Sequence, residues 1–336
     1  MRGLADTARQ FLGANYEPAR DFFWSIFALS ERTTAVWIAC YLLLALLFYA
    51  RDERKPGEAF LAGFRRYLFP KEVYAHPSAR ADFVYFAVEK VLFFAALETL
   101  AVSGDLVTAR LLQWFPVRSA VGGGWWATGL MTLAAFLAFD LGGFVWHFLT
   151  HRVQVLWAFH RVHHAAVVLT PISNYREHPV DSLGRSLVQG ALVGAAQVAV
   201  LHLVPGARPL EVGGINVLYL PFLALSNARH SHVWVSFGRL WSHVFNSPAQ
   251  HQCHHGTAPE HIDVNYGLVL SVWDWLAGTL YLPQGKEEVR YGLVGEQQPF
   301  PTVLSMYVRP FHDAWLRLTK RAAQEQYALS VAPSRA

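Results

Sequence analysis

"WWATGLMTLAAFLAFDLGGFVWHFLTHRVQVLWAFHRVHH", residues 125–164, runs without a break from a long apolar stretch into five histidines. A helix needs about 20 apolar residues to cross a hydrocarbon core of about 30 Å. Residues 125–146 meet that length with Asp140 as their only charge. Residues four apart share one helical face, so His147 and His151 aim two imidazoles at one point at the end of this span. His160, His163 and His164 repeat the arrangement at spacings of three and four. The stretch reads as a membrane helix that delivers nitrogen ligands at its mouth.

Working outward, 53% of the 336 residues are hydrophobic and 15% are charged, a balance far from that of an ordinary soluble enzyme. Four further apolar runs, 34–50, 82–102, 187–204 and 212–226, bring the expected spans to five. Reading them as buried helices of a soluble core is the weaker alternative. Residues 1–23 carry charges before any apolar run, so no cleavable signal peptide is expected. Cys40 and Cys253 give no disulfide framework and suit a reducing compartment. The net charge of +4 comes from basic residues in the loops between apolar runs. That points to anionic lipid headgroups and away from nucleic acid.

Five crossings put every histidine cluster on one side. The 51–81 loop on that side holds Arg51, Arg54, Lys55, Arg65, Arg66, Lys71 and Arg80, against Arg110 and Arg118 in 103–124. The positive-inside rule therefore makes the histidine side cytoplasmic. Within this loop, "EAFLAGFRRYLFP" (58–70) has the spacing of an interfacial helix. Trp125 and Trp126 after "GGG" read as an aromatic anchor. The segment 311–329 is amphipathic, as a docking or surface helix would be. Three regions are expected: 1–81, an N-terminal span and interfacial segment; 82–283, the histidine-box domain with membrane spans; and 284–336, a C-terminal tail.

Thirteen of the sixteen histidines fall within 147–178 and 230–261. The second window repeats the spacing as His251, His254 and His255. One histidine on an apolar face is usually a packed residue, but three boxes at helical spacing form a ligand set, because neutral imidazole suits zinc, iron and copper. Eight imidazoles exceed the usual coordination of one ion, so two ions are implied. Glu177 is the only acid between 141 and 180, and none lies between 227 and 259. That separates the site from carboxylate-rich di-iron bundles and from the zinc peptidases, which need a glutamate beside a box histidine.

The pattern H-x-x-x-H, H-x-x-H-H and a second H-x-x-H-H in a membrane chain resembles the fatty acid hydroxylase and sterol desaturase superfamily. Asp140, "REHPVD" (176–181), "HSHVWVSFG" (230–238), "FNSPAQHQCHH" (245–255) and "NYGLVLSVWDWLAGTLY" (265–281) also resemble the family's motifs, with Asp181 where glutamate is usual. The resemblance covers residues 82 to about 283. It implies an all-α integral membrane helical bundle with a cytoplasmic helical cap carrying a histidine-rich di-metal site. It also implies ten metal ligands, His147, His151, His160, His163, His164, His178, His230, His251, His254 and His255, and a catalytic role for Asp140. Asn265, Trp273 and Asp274 fall to supporting positions, and His232 and His261 stay open as further ligands.

The implied activity is O2-dependent oxidation of a lipid by a non-haem di-iron oxidoreductase, as a hydroxylase or a desaturase. Its cofactors would be two iron ions, which zinc can replace on overexpression. Its partners would be a lipid substrate and an external electron donor: a reductase, a ferredoxin or a cytochrome-type carrier. The main alternative is a non-enzymatic metal-binding or metal-transporting membrane protein, which would string its ligands along a path through the bilayer. A bis-histidine haem protein would need facing histidines on two spans.

Overall fold

The computed structural model describes residues 34–90, 100–117, 123–296 and 299–319. The N-terminal stretch read for a signal peptide, Arg118, the middle of the 82–102 run and the end of the 311–329 helix lie outside the described residues. α1 (Ala35–Phe48) continues through a π turn at Tyr49–Glu53. The segment expected to lie at the interface forms α2 (Phe60–Leu68), whose Phe60, Phe64 and Tyr67 gather around the Tyr49 ring. α3 (Pro77–Val88) starts where the His76 ring accepts the Ser78 N–H, and Ser103 caps α4 (Gly104–Trp114) in the same way.

α5 (Gly124–Arg152) holds 29 residues with no internal proline, about 44 Å of helix. Val153 is extended and ends it, and α6 (Gln154–His164) begins one residue later. That break folds the second histidine box back onto the first. α7 (Pro179–Leu203) runs antiparallel to α5, so Gly123 lies near Val204 at one end while Trp146 lies near Gly184 at the other. Gly142 lets them approach closely: a Cβ there would stand 2.8 Å from the Gln189 Cα. Small residues let membrane helices pack this tightly.

Among the described residues, three helices are long and apolar enough to cross a membrane: Ala35–Glu53, Gly124–Arg152 and Pro179–Leu203. The 212–226 run, expected as a span, is not one helix. Gly213 (φ 58°) and Gly214 (φ 75°) make the tight turn of a hairpin between β1 (Glu211–Val212) and β2 (Ile215–Asn216). Pro221 then lies in the first turn of α8 (Leu220–Arg229), which has ten residues. The segment still covers much of the distance, from the level of Thr132, whose Oγ1 accepts the Leu210 N–H, to His230 beside the histidine boxes.

The 82–102 run is described only at its ends. Tyr85 Oη donates to the Glu177 carbonyl, the Val102 N–H to Ser186 Oγ, and Thr108 Oγ1 to Gln197. The described ends of this run therefore lie against α7 and the turn before it.

The cap is completed by α9 (Pro248–His254), α10 (Val272–Ala277) and α11 (Val303–Leu318). Ser247 and Gln250 form a reciprocal capping box at the start of α9. α11 docks on α6 through the Phe159–Phe311 rings, 5.2 Å apart, and through Arg161 Nη1 to Asp313 at 3.1 Å. Within the segment after residue 283, α11 therefore packs against α6.

Candidate metal centre

Four elements converge on one end of the α5–α7 pair. α5 supplies His147 and His151, α6 supplies His160, His163 and His164, the end of α8 supplies His230, and α9 with its C-cap supplies His251, His254 and His255. The rings sort into two groups. In His147, His151, His160, His164 and His254, and again in His163, His230, His251 and His255, the ligand atoms all lie within 4.8 Å of one another.

The nitrogens face each other closely. His151 Nε2 and His254 Nε2 lie 3.2 and 3.1 Å from His164 Nε2, and His230 Nε2 and His255 Nε2 lie 3.0 and 3.2 Å from His251 Nε2. Bonds of about 2.1 Å to one ion place adjacent octahedral ligands about 3.0 Å apart, so the spacing fits metal ligation. The Nε2 atoms of His147 and His160 are buried and meet no hydrogen-bond partner, an expensive state unless an ion takes the lone pair.

Burial first, and the neighbouring rings second, hold His164 and His255 far below the ordinary imidazole pKa. Burial lowers His254 to about 3. These three rings therefore stay neutral, as metal ligation requires.

The opposite ring nitrogens fix the orientation. His147 Nδ1 bonds the Tyr266 carbonyl at 2.8 Å, His254 Nδ1 the Val264 carbonyl at 2.6 Å, and His163 Nδ1 the Arg176 carbonyl at 3.2 Å. His160 Nδ1 bonds Asp181 Oδ2 at 2.7 Å, while Trp146 Nε1 donates to the other oxygen at 2.6 Å. The aspartate that replaces the usual glutamate still reaches its ring. Ser173 Oγ lies 3.0 Å from His230 Nδ1. His251 differs, because Arg229 Nη2 donates to its Nδ1 at 2.8 Å. Its neutral ring therefore keeps a proton on Nε2, and ligation through Nε2 requires that proton to leave.

Residues 132–279 match the fatty acid hydroxylase family model. This match and the relatives below support the fatty acid hydroxylase and sterol desaturase superfamily for residues 132–279. The chain is 28% identical over 195 residues to an alkylglycerol monooxygenase of Xenopus tropicalis, covering 57% of this chain and 38% of that protein. It is 27% identical over 173 residues to the ornithine lipid hydroxylase OlsE of Rhizobium tropici, covering 51% and 48%. It is 26% identical over 149 residues to the Delta(7)-sterol 5(6)-desaturase erg3B of Aspergillus fumigatus, covering 44% and 38%. The matched regions span between a third and a half of these relatives' lengths. No solved structure gives a significant match to the chain.

Nine of the ten histidines that the family pattern marks in this chain meet in the two groups. His178 stands outside both. Its Nδ1 accepts the Val180 N–H at the start of α7, and its Nε2 bonds the Tyr307 carbonyl on α11 at 3.0 Å, so both nitrogens are engaged. Asp140, expected among the catalytic groups, is fully buried and accepts the N–H groups of Val269, Leu270 and Trp273 Nε1. It ties α5 to the closing segment. Asp274 likewise accepts the Tyr266 and Gly267 N–H groups, and Asn265 (φ 57°) joins the Gln250 carbonyl to the Tyr281 N–H.

His232 packs edge-on to Tyr67, away from the two groups. His261 belongs to a third cluster with Cys253 and Glu287, where the Glu287 carboxylate accepts from His261 Nε2, Tyr281 Oη and the Cys253 thiol. These donors satisfy the carboxylate without an ion.

One cavity adjoins the rings and a second lies beyond it. A recess of about 90 Å³ is lined by His147, His160, His163 and His251, with Trp146 and Phe222. A larger cavity of about 620 Å³ lies between α4, α5, α7 and the hairpin, against Phe136, Phe139, Leu183 and Tyr219. Sequence reading missed Arg229, Ser173 and the cavity wall, because the fold alone brings these isolated residues to the site.

Proposed function

We propose that the protein is a membrane lipid oxygenase in which nine imidazoles hold two iron ions, and that it hydroxylates its substrate with O2. The observation that carries this reading is the pair of converging imidazole groups beside a recess that shares wall residues with a larger cavity between α4, α5 and α7. The activities for which the relatives are named, lipid monooxygenation, hydroxylation and desaturation, support the same class.

When bound, the iron pair supplies O2 activation and the oxidising power to break an unactivated C–H bond. The chain supplies the rest. Asp181 and the carbonyls of Tyr266, Val264 and Arg176 fix which nitrogen of each ring is free to ligate. Trp146, Phe222 and Tyr266 wall the recess against water. Asp140 positions the 268–277 segment, whose Leu268 lines the recess. Electrons come from an external reductase, ferredoxin or cytochrome-type carrier that docks on the cap.

The cap faces the cytoplasm in this reading. Lys286 on the cap pairs with Glu53 at 2.5 Å, which puts the basic 51–81 loop on the same side as the histidines. A metal transporter would need ligands along a route through the bilayer, whereas these rings gather at one end of α5.

The test is lipid mass spectrometry on cells with and without the gene under 18O2. One lipid should gain a single labelled oxygen. His163→Ala and His254→Ala should each abolish that product, and His312→Ala should keep it, because His312 lies on the exposed side of α11. A product that forms without O2, or that survives both box substitutions, would overturn the reading.

A further inference from the structure

Ser78, Asp82 and Tyr85 lie four and three residues apart on α3 and so share one helical face. That face holds both ends of the connection between α6 and α7, residues 165–178. Ser78 Oγ accepts the Val167 N–H at 3.2 Å and Arg176 Nη1 at 3.3 Å. Arg176 Nη1 also donates to Asp82 Oδ1 at 3.0 Å, and Tyr85 Oη donates to the Glu177 carbonyl at 2.8 Å. The Asp82 and Arg176 side chains are 0% and 4% exposed. Withdrawing two charges from water is expensive, and well-packed apolar residues commonly stabilise a fold at least as well. What an ion pair adds is a defined position and direction for each partner.

The connection touches the rings at two points. The Arg176 carbonyl accepts from His163 Nδ1 at 3.2 Å, and Ser173 Oγ lies 3.0 Å from His230 Nδ1. Both rings belong to the second group, with His251 and His255. The two points move together, because the Arg176 N–H bonds the Ser173 carbonyl and a reciprocal Thr170–Ser173 capping box locks the 3-10 turn Pro171–Tyr175. The first group takes its outer partners elsewhere: His147 from Tyr266, His254 from Val264 and His160 from Asp181.

Resting on the two-ion reading, we infer that Asp82 is a positioning residue for the second histidine group. Through Arg176 it holds the outer partners of His163 and His230, and with them the aim of both rings. Asp82 lies outside residues 132–279, which match the family model. α3 is thereby built into the metal centre although it contributes no ligand.

Zinc-loaded, full-length protein in phospholipid nanodiscs tests this, with EDTA added in steps. Deuterium exchange at the imidazole Cε1, resolved by mass spectrometry, reports which rings have lost their ion. In Asp82→Asn, His163 and His230 should lose protection at about tenfold less EDTA than in the wild type, while His147 and His254 shift less than about twofold; tenfold is the usual scale for an outer partner of a metal-bound imidazole. Ser78→Ala removes no charge and carries the same test if Asp82→Asn fails to fold. It should move His163 and His230 in the same direction by about threefold, the effect of a lost hydrogen bond. Unchanged protection at His163 and His230 would overturn the inference. So would an equal shift at all four rings, since a merely structural ion pair would loosen both groups together. Either result leaves the two-ion reading intact. A wild type that holds fewer than two zinc ions would overturn that reading and the inference with it.

Discussion

Asp181 spends one oxygen on His160 and the other on Trp146, so one carboxylate fixes both a ligand and the wall of the recess. Asp181→Ala should lower turnover by roughly 10- to 100-fold, the usual effect of removing a carboxylate behind a metal-bound imidazole. Elemental analysis of the same preparation should show metal loss in step. His178→Ala should act differently. It removes the side-chain cap of α7, costing about 1 kcal/mol, and should leave the metal content unchanged. A loss of one equivalent would restore His178 to the ligand set. His232 carries a pH effect. Burial depresses its imidazole from 6.5 to about 4, so its neutral form stabilises the fold above pH 6.5, and that stability is lost as pH falls towards 4. The thermal midpoint should drop across this window, by the equivalent of roughly 3 kcal/mol at most. His232→Asn should flatten the drop.

At the scale of elements, the α5–α7 contact and the break after Arg152 determine whether the boxes meet. Gly142→Leu would press a side chain into the Gln189 backbone, and detergent-solubilised protein should elute as aggregate on size exclusion. Gly129→Leu, in the same helix but with nothing within 4 Å of the new Cβ, should behave as wild type. α5, α6 and their five histidines were legible because helical spacing is periodic and needs no partner to be seen. The 212–226 run was misread because a hydropathy window counts apolar residues without registering that Gly213 and Gly214 reverse the chain; those glycines and Pro221 were the available signals. The two box windows were visible, but their sorting was not. Nothing in the order of residues 160–164 or 251–255 says that neighbours belong to different groups. His178 misled for a related reason: its motif gives its position in the chain but not what occupies its second nitrogen.

Across the whole molecule, the end far from the rings exposes Trp114, Trp125 and Trp126, an aromatic girdle of the kind found at a membrane boundary. The opposite end carries the exposed Pro259 and Glu260. Glu260→Cys should react with a membrane-impermeant maleimide only after cells are opened, and Arg208→Cys at the girdle end should react in intact cells; the reverse pattern would invert the orientation. The two histidine groups also interleave: His164 and His254 belong to one while their chain neighbours His163 and His255 belong to the other. Any ion that immobilises α6 and α9 for its own ligands therefore removes conformational freedom that the second ion would otherwise have to restrict, which makes the two bindings mutually reinforcing. Native mass spectrometry of protein given half its full complement of metal should then find a bimodal population of empty and doubly loaded molecules, with the singly loaded species scarce.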